Sequence, residues 1–317
     1  MRKLLFLFLF ISGAATAQQY PARPLRMVVT FAAGGGADFV ARAVAPRLGE
    51  ALGQPVVVDN RPGANGALGA DIVAKSAPDG YTLLLGAAGT IVVAPHLGAK
   101  LPFDALKDFA PVSLVAISPF VVTINPSVRA SSIKELIALA KSGAGKLNYG
   151  TSGTGGSPQL ATELYKSMAG IAMTHVPYKG LAPALTDLIG GQIQVVFADV
   201  GLVKGHIAGG KLKGLAVTSA ARSAAMPDLP TVAESGVPGY AAGTWYAIFA
   251  PAGTPPDIVA RLSAEARKAL ELPDIKASFT AQGIEAAGGT PEQLAGFVRE
   301  EFAKWGKVVK DAGIKAE

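Results

Sequence analysis

The chain has 317 residues, half of them hydrophobic and 16% charged, with 29 basic against 23 acidic residues and no cysteine. That length and apolar content suit two domains of ordinary size, held by their cores and not by disulfides. No run of basic residues interleaved with aromatics occurs, which excludes a nucleic-acid reader; Lys204, Lys211 and Lys213 come nearest to a patch and read as a solvated face.

Residues 1–17 read as a secretory signal peptide. Met1-Arg-Lys is a basic start, Leu4 to Ile11 an apolar run far too short to span a bilayer, and Ala15-Thr16-Ala17 an A-x-A cleavage site. Its removal leaves 27 basic against 23 acidic residues, a net charge of +4 that suits small anions. Export without cysteine favours a bacterial periplasm, and the mature chain is expected to be soluble.

The first elements are a buried strand (Leu25 to Phe31), a loop with three consecutive glycines, Gly34 to Gly36, and a helix with Val40, Ala43, Val44 and Leu48 on one face. The first N–H groups of a helix have no internal partner and carry the positive end of its dipole, so this arrangement suits a carboxylate, sulfate or phosphate. The triplet matches neither the dinucleotide fingerprint nor the P-loop, and a tight turn without a ligand explains it equally well. Pro46 inside this helix costs about 3 kcal/mol unless the helix kinks or starts later.

Strand Pro55 to Asn60, a turn at Arg61 to Gly66, helix Ala67 to Ala77 and strand Tyr81 to Leu85 follow, ending in Gly86-Ala-Ala-Gly-Thr90. Strand, helix, strand, helix, strand implies a parallel sheet, with ligands beyond the carboxyl ends of its strands. The apolar run Pro111 to Ile124, broken by Pro119, is expected to cross into a second lobe with the same pattern: helix Ile133 to Lys141, strand Leu147 to Gly150, helix Pro158 to Ala169, strand Met173 to Val176, helix Ala182 to Gly190, strand Gln194 to Ala198, helix Val203 to Ala208 and strand Gly214 to Thr218. Its Gly/Ser/Thr loop, Gly150 to Ser157, precedes a helix for which Ser157 is the expected cap, Pro158 the first residue, and Leu160, Leu164 and Met168 the apolar face. Two anion-type loops suggest two lobes facing across a cleft. Turns at 226–240 carry the return, followed by strand Trp245 to Ala250, helix Asp257 to Leu270 and a final helix Pro291 to Asp311 with a packing stripe of Leu294, Phe297, Val298, Trp305, Val308 and Val309. The expected division is 18–121 with 239–317 as one lobe and 122–238 as the other.

Catalytic candidates are thin. His96, His175 and His206 lack metal-ligand spacing, and Gly150-Thr-Ser-Gly-Thr154 fails the nucleophile-elbow pattern because Ser152 and Gly153 are adjacent. A Ser152, His175, Asp199 triad remains the enzymatic alternative; Thr151, Ser152, Thr154 and Ser157 are explained more simply as hydroxyl donors in an anion pocket. Asp38 reads as a helix cap or a cleft carboxylate, Asp199 as a group orienting a ligand's amino or hydroxyl group or bonding a loop, and Tyr178 as pocket wall or ordinary packing. No cofactor, metal or enzymatic activity is expected.

With these residues in view, the chain resembles the substrate-binding proteins of tripartite tricarboxylate transporters, also called Bug receptors. The resemblance covers essentially the whole mature sequence and rests on Tyr20-Pro-x-Arg-Pro24, Phe31-Ala-Ala-Gly-Gly-Gly-x-Asp38, Gly53-Gln-Pro-Val-Val-Val-Asp-Asn-Arg-Pro-Gly63, Pro78-Asp-Gly-Tyr-Thr-Leu-Leu84, Tyr149-Gly-Thr-Ser-Gly-x-Gly155, His175-Val-Pro-Tyr-Lys-Gly180, Gly210-Lys-Leu-Lys213, Leu215-Ala-Val-Thr218 and Ala250-Pro-Ala-Gly-Thr-Pro255. It implies a monomeric α/β two-lobe periplasmic clamshell, of two doubly wound domains, that closes on a small carboxylate and delivers it to a two-component membrane permease driven by an ion gradient; a ligand sensor for a signalling partner is the alternative. Carried over by residue, it places carboxylate contacts on the backbone of Ala33, Gly34 and Gly35 in one lobe and on Thr151, Ser152 and Thr154 in the other, with Ala88 and Asp199 nearby. The expected ligand site adds Phe31 and Tyr178 against the carbon body, and Ala32, Asp38, Thr90, Gly153, Gly155 and Ser157 from the same loops. Phe197-Ala-Asp199 departs from the Phe-Asp-Asn of many relatives.

Overall fold

The computed structural model describes residues 20–98, 100–143 and 147–315; the expected signal peptide, residues 1–17, lies outside the described residues. Strand β1 (Leu25–Val29) leads into helix α1 (Gly36–Leu52), then β2 (Val56–Asn60), α2 (Ala67–Ala74) and β3 (Thr82–Ala87). Short helical turns at Gly89–Val93 and Ala94–His96 precede β4 (Phe109–Ser118) and β5 (Phe120–Ile124), the expected long apolar run split at Pro119. The chain continues through α3 (Ile133–Ser142), β6 (Asn148–Thr151), α4 (Ser157–Ala169), β7 (Thr174–Pro177), α5 (Leu181–Ile189), β8 (Val195–Asp199), α6 (Val200–Ala208) and β9 (Lys213–Val217). It returns in β10 (Thr244–Pro251) and ends with α7 (Pro256–Glu271), α8 (Pro273–Ala281), β11 (Glu285–Ala286) and α9 (Pro291–Ala312).

Local chemistry sets the long helices. The Thr290 hydroxyl accepts the Gln293 N–H while Gln293 Oε1 accepts the Thr290 N–H at 2.8 Å, a reciprocal cap with Pro291 at the first turn of α9. α1 runs through Pro46 instead of starting after it. Pro46 faces solvent, so the Arg42 carbonyl it leaves without a helical partner is open to water. Two expectations need correction. Ser157 does not cap α4: Gly156 does, and Ser157 is the first helical residue. Nor does Met168, which is exposed, share the face of Leu160; that face is Leu160, Ala161 and Tyr165, with Leu164 partly buried against the same core. Helix α8 was not expected; Leu272-Pro273 breaks the preceding helix and Pro273 starts a new one.

Two sheets result, ordered β11-β4-β10-β3-β1-β2 and β7-β6-β8-β5-β9. The parallel sheet expected at each centre is there in β2-β1-β3 and in β7-β6-β8, but β10 lies antiparallel to β3, and β5 antiparallel to β8. Those antiparallel strands are the ones that carry the chain between lobes. The change of sheet falls at Pro119 and near Gly243, where Thr244 pairs with Ser118 and the Thr218 hydroxyl accepts the Phe120 N–H at 2.7 Å. The expected boundaries were after 121 and after 238.

One apolar cluster runs from the first sheet (Trp245, Phe249) through Trp305 of α9 to Tyr240, Tyr165 and Phe197 of the second. Within it the buried Glu301 carboxylate accepts both indole N–H groups, from Trp305 at 2.8 Å and Trp245 at 3.2 Å, and pairs with Lys304. Helices α1, α7 and α8 cover the other face of the first sheet, and α5 and α6 that of the second. The lobes thus share a core along one side and open on the other.

A Cβ on Gly243 would lie 2.8 Å from the Ser118 carbonyl oxygen, a backbone atom at the crossing. Gly243→Ala is therefore expected to lower the stability measured by urea denaturation by about 1–3 kcal/mol; an unchanged midpoint would show that the two crossing strands are free to part.

Candidate functional site

Between the sheets lies a cavity of about 400 Å³, at the carboxyl ends of β1 and β3 on one side and of β6 and β8 on the other. Four helical segments begin on its wall: Gly36 opens α1, Gly89 the Gly89–Val93 turn, Ser157 α4 and Leu181 α5, while Asp199 precedes α6. Each start exposes N–H groups without internal partners and the positive end of a dipole equivalent to roughly half a charge. No Lys, Arg or His lines the cavity among the described residues. The positive potential there comes from main-chain amides.

The first loop is held from behind. Asp38 Oδ2 accepts the Gly34 N–H at 2.9 Å, Arg42 Nε donates to both Asp38 oxygens at 2.9 and 3.0 Å, and Arg42 Nη2 donates to Asn60 Oδ1 at 3.1 Å. Asn60 Nδ2 in turn donates to the Phe31 carbonyl at 3.1 Å. The Arg42 guanidinium holds the Asp38 carboxyl below its ordinary range. Gly34 N–H and the nearby Arg42 cation are therefore committed to the loop, and the N–H groups of Gly36 and Ala37 are left at the cavity wall.

The second loop has its own support. Thr151 Oγ1 donates to the Gly153 carbonyl at 2.9 Å and lies 2.7 Å from His175 Nε2. His175 Nδ1 lies 3.2 Å from Gln159 Nε2, and Gln159 Oε1 accepts the Gly155 N–H at 2.6 Å. With Thr151 donating forward, the chain is satisfied by a neutral imidazole carrying its proton on Nε2. The ring stacks on Tyr149 at 5.0 Å, and the Tyr149 hydroxyl donates to Glu163. Both nitrogens of His175 face Thr151 and Gln159, so Ser152, His175 and Asp199 do not assemble as a triad.

Phe31, Gly35, Ser152, Gly153, Thr154, Gly155, Ser157 and Asp199 of the expected site line the cavity. Ala32, Ala33, Gly34, Asp38, Ala88, Thr90, Thr151 and Tyr178 do not line it. Ala32 and Ala33 are exposed residues of the same loop; Gly34, Asp38 and Thr151 belong to the supporting networks. Ala88 is buried one residue before the lining Gly89, and Thr90 is buried with its hydroxyl donated to the Asn65 carbonyl. The Tyr178 hydroxyl donates to Asp187 at 2.7 Å, which turns the phenol away and, after burial, helps to raise its pKa to about 12.

Residues without a local sequence signal complete the wall. Phe120 and Thr244 arrive from the crossing strands, Asn65 from the turn after β2, and Tyr246 from β10. A Cβ on Gly36 would lie 2.6 Å from Tyr246 Oη, so the missing side chain admits a phenol against the first turn of α1. Burial, then the Asp199 carboxyl, raises the Tyr246 phenol above its ordinary range. Asp199 itself is raised by burial; the Ser118 hydroxyl, 3.4 Å from Oδ1, is its side-chain hydrogen-bond partner. Asp199 and Tyr246 are the ionisable side chains of the cavity, and both are held toward their neutral forms.

Comparison with known proteins gives a consistent result. The family model described as "Tripartite tricarboxylate transporter family receptor" matches residues 40–314. The protein BugT of Bordetella pertussis is 40% identical over 306 residues, 96% of this chain and 94% of its own. Among solved structures, Rpa4515 of R. palustris with adipate is 38% identical with a TM-score of 0.80, covering 93% of this chain and 99% of its own. MatC from Rhodopseudomonas palustris with bound malate is 34% identical with a TM-score of 0.75, covering 92% and 100%.

Two substitutions test the electrostatics. Asp38 has its carboxyl pKa lowered in the fold, so its stabilisation is complete above about pH 4 and lost as pH falls through the lower folded value. Asp38→Asn is expected to cost about 1–2 kcal/mol at pH 7, discounted for the exposed Arg42, and less at pH 3; a difference that does not shrink in acid would contradict this. Asp199 has its pKa raised, so its contribution is present below about pH 4 and lost as pH rises through the higher folded value. The melting temperature of Asp199→Asn relative to the parent should therefore climb with pH across that window.

Proposed function

The chain belongs to the tripartite tricarboxylate transporter receptor family, and from that premise we propose that it is a periplasmic receptor closing on a small organic carboxylate for delivery to a two-component membrane permease. The observation that carries the anionic ligand is the set of helix starts around a cavity that, among the described residues, no cationic side chain lines. The adipate and malate of the similar structures support the same chemistry. In this reading the basic start, apolar run and Ala15-Thr16-Ala17 site direct export and are then removed.

A carboxylate at the start of α1 takes the N–H groups of Gly36 and Ala37, and from the other lobe the start of α4 with Ser152 and Ser157 offers amides and hydroxyls. Contacts with both lobes exist together only when the cavity is closed, so ligand shifts the hinge toward that form. A charge-assisted hydrogen bond contributes about 1.5–3 kcal/mol. Phe31, Phe120, Leu181 and Tyr246 provide apolar surface for the carbon body. Burial raises the pKa of Asp199, which disfavours a carboxylate charge beside the ligand. No step of covalent chemistry enters this account, and the second loop's hydroxyls act as donors, not nucleophiles.

Gly35 precedes α1 in an extended conformation, and a Cβ there would meet only the Ala32 carbonyl, at an ordinary 3.6 Å. Gly35→Asp is expected to fold normally, since aspartate is a favoured N-cap, and to abolish carboxylate binding because its own carboxylate occupies the α1 amides. Calorimetry would measure this; an unchanged dissociation constant would remove α1 from the site. Against the parent protein, a thermal-shift screen of small carboxylates should find a ligand that, at 100 times its dissociation constant, adds about 2.7 kcal/mol to the folded state.

A further inference from the structure

A second hollow of about 550 Å³ opens beside the anion cavity, and the two share Asn65 from one lobe and Thr154 from the other. Its wall is apolar, formed by Ala67, Leu68, Leu97, Leu101 and Pro102. Leu68 is 52% exposed, one of few large apolar side chains left to solvent. Asp71, at the same hollow, is paired with Lys75 at 2.8 Å, and Lys100 stands at its edge. The hollow also spans the lobes: a Cβ on Gly155 of the second loop would lie 2.8 Å from Leu97 Cδ1. The turn that carries Asn65 is unusual as well, because Ala64 and Asn65 take φ values of 47° and 55°, a region that non-glycine residues rarely adopt.

From this continuity we infer that the hollow is an annex of the ligand site, selecting carboxylates that carry an elongated apolar tail. The inference rests on the carboxylate reading of the main cavity. The carboxylate lies against the helix starts, and the tail passes between Asn65 and Thr154 to cover Leu68, Leu97 and Leu101. Because the annex is built from both lobes, a tail within it adds to closure as well as to affinity. A compact dicarboxylate fits the main cavity alone and leaves the annex to water.

The test is a calorimetric titration of the exported-length protein, residues 18–317, with straight-chain monocarboxylates from butyrate to decanoate, repeated on Leu68→Asp. Affinity in the parent is expected to rise about threefold to fourfold per added methylene over the middle of the series. Leu68→Asp, at an exposed position, should keep the butyrate affinity and lose the dependence on length. Short and long acids binding alike in the parent, or a length dependence that survives in Leu68→Asp, would overturn the annex while leaving the main cavity intact. Failure of every acid in the series to bind would overturn the annex, while the thermal-shift screen of small carboxylates decides the main cavity separately.

Discussion

The unpaired amides of helix starts are the positive groups at this cavity, and the rest of the structure holds that arrangement in place. Four helical segments begin on its walls, two from each lobe, and among the described residues no lysine, arginine or histidine lines it. A long cationic side chain would be mobile and would bring its own hydration shell. Main-chain donors are already fixed in direction, so little order has to be imposed when a ligand arrives. Both loops are braced before binding. Asp38, Arg42 and Asn60 hold one, and Thr151, His175 and Gln159 the other. Gln159 and Asn60 matter to the site although neither lines the cavity.

Closure has a mechanical basis in the way the two sheets are joined. The antiparallel strands β4–β5 and β10 carry the chain across at Pro119 and Gly243, side by side, while a shared apolar cluster ties the lobes along the α9 side. The cavity can open only away from that cluster. Glu301, buried between two indoles and Lys304, pins α9 where the lobes meet. The Leu97–Gly155 approach marks where the lobes touch again on the ligand side.

Asp199 is the carboxyl that lines the cavity, and burial shifts its pKa upward. Asp199 is the last residue of β8 and directly precedes α6.

The chain read alone determined much of this. The α/β alternation, the apolar run broken at Pro119 and the two glycine loops are written in local periodicity and turn chemistry, which depend on neighbours in sequence. The same loops pointed to the anion, because three glycines before a helix or Ser157-Pro158 at its start act over a few residues. What the tertiary structure decided was which groups remain free once those loops are packed. Gly34, Asp38 and Thr151 hydrogen-bond within their loops, and the Tyr178 hydroxyl bonds Asp187, partners that no local pattern marks. Tyr246, Phe120 and Asn65 reach the cavity from distant segments through strand pairing and a left-handed turn, contacts that span up to about two hundred residues and leave no local mark.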